Sequence, residues 1–412
     1  MSKLPIFSAY GIELEYMMVD SDTLNPIPVS DKIIKEVAGE YVNEVEQGEI
    51  AWSNEVVLHV IELKTNGPVA DFDRLPSLMT RNITAINTIL ERYHGVLMPT
   101  AMHPWMNPYL ETQLWPHSNS EIYDTYDRIF NCQGHGWSNL QSMHINLPFL
   151  NDNEFALLHT AIRLLLPIMP AIAASSPLMD GELTGLMDTR MDTYRKNAKM
   201  IPSITGLVIP EAVTSQSDYQ KQILDPMYKD IASYDPDAIL QDEWLNSRGA
   251  IARFDRNTIE IRVLDTQETP LADLAIAELI KAVLKKISSL QWCDLSKQLE
   301  ISTPALSDIF LSVIKNAERT VIHNKDYLSL FNFPDKRCDA QELWQFLFES
   351  VELDETGDRE AMQQVIKFIF KHGTLARRIT TPLQKSLTQP RLKEIYRVLT
   401  ECLAKETLFE GI

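Results

Sequence analysis

Three stretches of this chain alternate apolar and polar residues with the period of a β-strand, and in each the polar set is chemically specific. In "GIELEYMMVD" (11–20), Glu13 and Glu15 fall on one face while Ile12, Leu14 and Tyr16 fall on the other. In "QSMHINLPF" (141–149), Ser142, His144 and Asn146 oppose Met143, Ile145 and Leu147. In "TIEIRVLDT" (258–266), Thr258, Glu260 and Arg262 oppose Ile259, Ile261 and Val263. A face built of carboxylate, imidazole and guanidinium differs from an ordinary solvated strand face of Lys, Thr and Ser. Like charges side by side on a strand repel unless something positive lies between them. The three strands therefore suit one antiparallel sheet, packed on its apolar face and lining a cavity with its polar one.

A fourth stretch, "EVVLHVIELKT" (55–65), carries Glu55 and Glu62. Their spacing is odd, so one straight strand would point them to opposite faces. Either a bulge intervenes or Glu55 precedes the strand proper. Elsewhere, apolar residues recur at helical spacing from Leu75 to Tyr93, and Gly95 ends that helix. From Thr269 onward the pattern is almost entirely helical, with Pro270 suited to a first helical position. The expected class is α+β. Residues 1–290 form the core, and a helical C-terminal region, 291–412, packs on the same domain or offers a surface for a second subunit.

Hydrophobic residues make up 45% of the 412 residues, enough for a sizeable core. The formal charge of −19 argues against nucleic acid and anionic membranes as partners, because phosphates would be repelled. The most apolar stretch, 155–178, is interrupted by His159, Arg163, Pro167 and Pro170 and reads as a buried helix rather than a membrane span. The chain runs directly into a patterned strand, so no secretory leader is expected. Cys132, Cys293, Cys338 and Cys402 are far apart in sequence, which suits reduced thiols and a cytoplasmic location.

Several carboxylates with a histidine suit hard cations such as Mg²⁺ or Mn²⁺. Arginine on the same surface neutralises phosphate or clamps a carboxylate. Together they point to phosphoryl chemistry with a nucleotide. Glycine is scarce, 14 residues, and no phosphate-binding glycine loop is present, so metals and arginine would have to hold the phosphates.

These residues also carry a family resemblance. "GIELE", "NEVVLHVIELKT", "HPW" (103–105), "MHINLPF", "SSPLMDGELTGLMDTR" and "TIEIRVLD" occur in an order that resembles the glutamate–cysteine ligases, in particular the second bacterial type of carboxylate–amine ligases. The resemblance covers about residues 8–290. "FKHGTLARRI" (370–379) is similar to a degenerate form of a segment near that family's C-terminus. The resemblance implies a curved, funnel-like antiparallel sheet similar to the catalytic domain of glutamine synthetase. It implies ATP-dependent amide formation through an acyl phosphate, with Mg²⁺ and small amino-acid substrates, glutamate and cysteine foremost. By resemblance, Glu13, Glu15, Glu55, Glu62, His144 and Glu260 are metal ligands. Arg262 contacts phosphate, and Arg190 binds the carboxylate substrate or the acyl phosphate, with Arg253 a second candidate. His103 and Asn146 join the substrate or nucleotide site. Asn146 stands where many members carry a second histidine, which moves the metal onto the carboxylates. A binding protein that keeps the fold without turnover, and more distantly a metal-dependent amide hydrolase, are the other readings.

Overall fold

The computed structural model describes residues 3–411. Its centre is an eight-stranded antiparallel sheet. The chain enters through β1 (Gly11–Asp20), then β2 (Glu44–Gln47), β3 (Ile50–Asn54), β4 (Val60–Thr65), β5 (Gly95–Met98) and β6 (Ser142–Pro148). A two-stranded hairpin, β7 (Leu178–Met179) with β8 (Glu182–Leu183), lies outside the main sheet. The sheet is completed by β9 (Ala250–Arg253) and β10 (Thr258–Asp265). The strand order is β2-β3-β4-β1-β6-β10-β9, with β5 also pairing β1, so the sheet is open. The three strands singled out by their alternation, β1, β6 and β10, are neighbours at its centre.

Ile12, Leu14, Ile61, Leu63, Met143, Ile145, Leu147, Ile259 and Ile261 share the apolar face and are all fully buried. Helix Pro270–Ser288 packs against both Leu75–Leu90 and Asp152–Leu165 behind that face. The expected start of the last is confirmed: Thr269 caps it through its side chain, and Pro270 follows, where its missing N–H costs nothing.

The strand expected at 55–65 is instead the second half of a hairpin. The chain leaves β3 at Asn54, turns through 55–59 and returns as β4, which pairs β3 and β1. Glu55 thus precedes the strand proper, and the odd spacing needs no bulge. A bulge does occur in β10. Ile261 faces Ile145 and Leu264 faces Met143, so three steps on β10 match two on β6, and Arg262 and Val263 occupy the irregularity.

The polar face is not polar along its whole length. Beyond Glu15 the same side of β1 carries Met17 and Val19, and with Val57, Val60 and Met98 these pack on Leu375, Ile379, Leu392, Ile395, Tyr396 and Leu399. Helices Leu375–Leu383 and Gln389–Lys405 therefore cover one end of the site face. The C-terminal region also joins the main core. Trp344 donates to the Ile168 carbonyl at 2.8 Å, and Tyr327 donates to the Leu164 carbonyl at 2.9 Å. No helix among the described residues is long and apolar enough to cross a membrane.

Candidate active site

Register brings the charged residues together. Glu13 lies opposite Lys64 on one side and His144 on the other, Glu15 lies opposite Glu62, and Glu260 lies opposite Asn146. Because cross-strand partners share a face, Glu13, Glu15, Glu62, Lys64, His144, Asn146 and Glu260 form one surface.

His144 is the hub of that surface. Its Nδ1 lies 2.8 Å from Glu13 Oε2, and its Nε2 lies 2.9 Å from Ser142 Oγ. Glu15 and Glu260 each approach the ring at 3.8 Å. Burial disfavours the imidazolium, but the bond to Glu13 and the charges of Glu15, Glu13 and Glu260 outweigh it and raise the ring to about 9. Both ring nitrogens then donate. Ser142 also donates to Glu15, by its backbone N–H at 2.8 Å and its hydroxyl at 3.2 Å, and Asn146 donates to Glu13 at 2.9 Å.

The carboxylates divide by their neighbours. Burial would raise Glu13, yet His144, Lys64 and Arg262 hold it down to about 2. Glu62 is pushed up to about 7, first by burial and then by the charge of Glu13. It accepts from Ser53 at 2.5 Å and lies 3.2 Å from Lys64. Glu55, outside any strand, is raised well above the usual range by burial and by the charges of Glu15, Glu62 and Glu13. Arg262 reaches back to Glu260 at 2.5 Å.

This donor set fits a hard divalent cation. One ligand atom each from Glu13, His144 and Glu260 lie within 4.8 Å of one another, as do one each from Glu15, Glu62 and His144. The groups are oxygen-rich and mutually repelling, and among the described residues no cysteine joins either of them to favour a softer metal.

Three expected residues are placed differently. Arg190 is buried, and its guanidinium does not open onto the face. It donates to the backbone carbonyls of Arg262 (2.7 Å), Leu264 (3.1 Å) and Gln141 (3.2 Å), and pairs with Asp265 at 3.3 Å. It spans the β10 bulge behind Arg262, so its donors are taken up by backbone carbonyls and Asp265. His103 is fully buried. Its Nε2 donates to the Leu24 carbonyl at 2.7 Å, its Nδ1 accepts the Trp105 N–H at 3.2 Å, and burial pushes it down to about 3. It fixes a turn as a neutral ring. Arg253, opposite Thr258 at the outer strand, has its charge matched by Asp255 at 3.2 Å and Glu243 at 3.8 Å.

Lys64 and Ser53 belong to the same cluster but were not singled out from the sequence, and Ser142 was placed on the polar face without a role. Lys64 had a usable signal: it follows Glu62 by two residues on the same strand and so shares its face.

An open antiparallel sheet that gathers carboxylates, one imidazole, a lysine and an arginine on one face is the framework of a carboxylate–amine ligase, and comparison with known proteins bears this out. The chain belongs to glutamate–cysteine ligase family 2, whose model matches residues 9–395. An uncharacterised protein of Archaeoglobus fulgidus is 37% identical over 278 residues, 67% of this chain and 73% of that protein. A Bradyrhizobium sp. (strain ORS 278) protein provisionally named glutamate–cysteine ligase 2 is 24% identical over 68% of this chain, which spans 62% of that relative's length. The crystal structure of glutamate–cysteine ligase from Francisella tularensis in complex with AMP shares the fold. Its TM-score is 0.60 at 12% identity, covering 100% of this chain and 90% of that one.

Proposed function

We propose that this protein joins a carboxylate to an amine at the expense of ATP through an acyl phosphate, and that the pair is glutamate and cysteine, giving γ-glutamylcysteine. One observation carries the reading: Glu13, Glu15, Glu62, Glu260 and His144 converge on one sheet face with Lys64 and Arg262 beside them. The AMP in the Francisella enzyme's structure supports an adenine nucleotide here.

Glu13, Glu15, Glu62 and Glu260, with Glu55 adjoining, would hold Mg²⁺, and Mn²⁺ could replace it. Bound there, the metal would neutralise phosphate charge. Ser142 and Asn146 orient the carboxylates of Glu15 and Glu13 through the bonds given above. Arg262 and Lys64 supply positive charge to phosphoryl oxygens, the electrostatic stabilisation that phosphoryl transfer needs most. His144, cationic between the carboxylates in the free protein, would surrender its proton if it ligates metal. A ligase consuming ATP and free amino acids would act in the cytoplasm, with no nucleic-acid or membrane partner.

ADP release measured with Mg²⁺ against a panel of amino acids tests this. Release that requires glutamate and cysteine together is the expected result. Release with another pair would keep the ligase and change its substrates. No release with any pair would favour a nucleotide-binding protein without turnover.

A further inference from the structure

Lys64 and Arg262 each sit on a carboxylate that the site needs for a cation. Lys64 lies opposite Glu13 in register, yet its ammonium turns the other way. It reaches across β3, where its register partner is only Ala51, to Glu44 on β2 at 2.7 Å, and it lies 3.2 Å from Glu62. Arg262 does the same on the far side of the cluster. Its Nε donates to Glu260 at 2.5 Å, while neither outer guanidinium nitrogen finds a partner among the described residues. The Arg262 backbone is fixed, its N–H bonded to the Gly249 carbonyl at 2.9 Å and its carbonyl to Arg190 at 2.7 Å, so only the side chain is free to move. In each pair the cation is the more exposed partner: the side chains of Lys64 and Arg262 are 28% and 22% exposed, those of Glu62 and Glu260 9% and 5%. Each of the two groupings suited to a cation, Glu15–Glu62–His144 and Glu13–His144–Glu260, thus has one carboxylate capped from the solvent side by a basic side chain.

We propose that Lys64 and Arg262 are built-in counter-ions, displaced from Glu62 and Glu260 when a divalent cation binds and passed to the phosphates of the nucleotide, so that metal and nucleotide binding are coupled through these two side chains. Their contact with phosphate rests on the ligase reading above; their hold on the carboxylates does not. A divalent ion on Glu62 and an ammonium on the same carboxylate repel each other, most strongly where little water screens them. Without either cation the crowded carboxylates of the face would repel one another, so the metal-free protein needs the basic side chains where they are. Once displaced, Lys64 keeps Glu44 as a partner, and the open nitrogens of Arg262 present a fork that fits a phosphate. Such coupling is reciprocal: a phosphate that draws the two cations away also clears the carboxylates for metal.

Mn²⁺ alone, followed by electron paramagnetic resonance without nucleotide, is the probe. Lys64→Met and Arg262→Met should each tighten its binding by about fivefold or more, because a competitor for the carboxylate is gone. Lys64→Arg keeps the competitor and should stay close to wild type. Arg253→Met removes a charge of the same sheet that pairs with Asp255 and Glu243 instead, and should leave Mn²⁺ affinity unchanged. Unchanged or weaker Mn²⁺ binding in either folded methionine variant of Lys64 or Arg262 would overturn the proposal, as would equal tightening by Lys64→Arg or Arg253→Met. A crystal of the wild-type protein soaked in Mn²⁺ needs no variant to fold. An ion on the face with Lys64 parted from Glu62 and Arg262 from Glu260 upholds the proposal, and intact pairs or an empty face overturn it. No ADP release with any amino-acid pair would instead sink the ligase reading, and the metal-only measurements would still decide the counter-ion roles.

Discussion

At the scale of single residues, Glu13 is bonded to His144 and Asn146 and lies opposite Lys64 on the neighbouring strand. Replacing it with glutamine keeps the volume but takes from His144 its anionic partner. Glu13→Gln should therefore lose ATP turnover by about 10²-fold or more and melt at a lower temperature while still folding. Turnover kinetics beside a thermal melt check both halves. Glu13 is legible in the sequence by period alone, but the placement of Arg190 and His103 is not. Their partners are carbonyls from distant strands and loops, and nothing in the local sequence marks an arginine as spent on backbone.

His159 makes a residue-scale prediction about pH. It is buried, stacked on Phe155, and pushed down to about 3 by burial and by Arg163 and Arg248. Its folded value lies below its unfolded one, so the unfolded chain takes up the proton first as pH falls. The stability it contributes is complete above about 6.5 and is lost progressively toward 3, at up to about 1.4 kcal/mol per pH unit. Glu62, raised to about 7, acts oppositely: its folded form holds the proton longer, and its effect on stability falls away as pH rises through that range. The clean measurement is a difference. His159→Phe should destabilise less than wild type between pH 6.5 and 4.5 in denaturant titrations, and identical slopes would refute the buried neutral ring.

At the scale of elements, alternation located β1, β6 and β10, because a period of two is written directly into sequence. It failed where geometry depends on pairing. The 55–65 segment read as one strand because its apolar run continues through a turn, and β2, β3 and β9 are too short to announce themselves. The bulge at Arg262 was also invisible, since it exists only in register with β6. Arg190 holds that bulge, and Asp265 depends on it for charge. Arg190→Gln should cost about 3–5 kcal/mol of stability by leaving a buried carboxylate unpaired. Arg190→Lys, which keeps the charge but not the fork, should lower kcat with little change in the KM for the carboxylate substrate. A raised KM with unchanged kcat would restore Arg190 as a substrate contact.

At the scale of the whole molecule, the helical region after residue 290 is part of the site's architecture. Its helices 375–383 and 389–405 cover Met17, Val19 and Val60 at the apolar end of the candidate site's face. Arg378 pairs with Glu268, just past β10, and donates to the Phe409 carbonyl at 2.7 Å, so the C-terminal segment is tied to the strand that carries Glu260. Helical periodicity foretold the helices but not which sheet face they would cover. A chain ending at residue 290 should fail to unfold cooperatively, because the main core would lose Trp344, Tyr327 and Phe310. A cooperative melt of that fragment would show an independent domain.

Everything rests on the sheet face being a divalent-cation site that serves ATP. Mn²⁺ binding followed by electron paramagnetic resonance, with a non-hydrolysable ATP analogue present, tests it most directly. Wild-type protein should bind Mn²⁺ saturably, and Glu13→Gln and Glu260→Gln should each weaken binding by about tenfold or more. Equal Mn²⁺ affinity in folded wild-type and variant proteins would contradict the account.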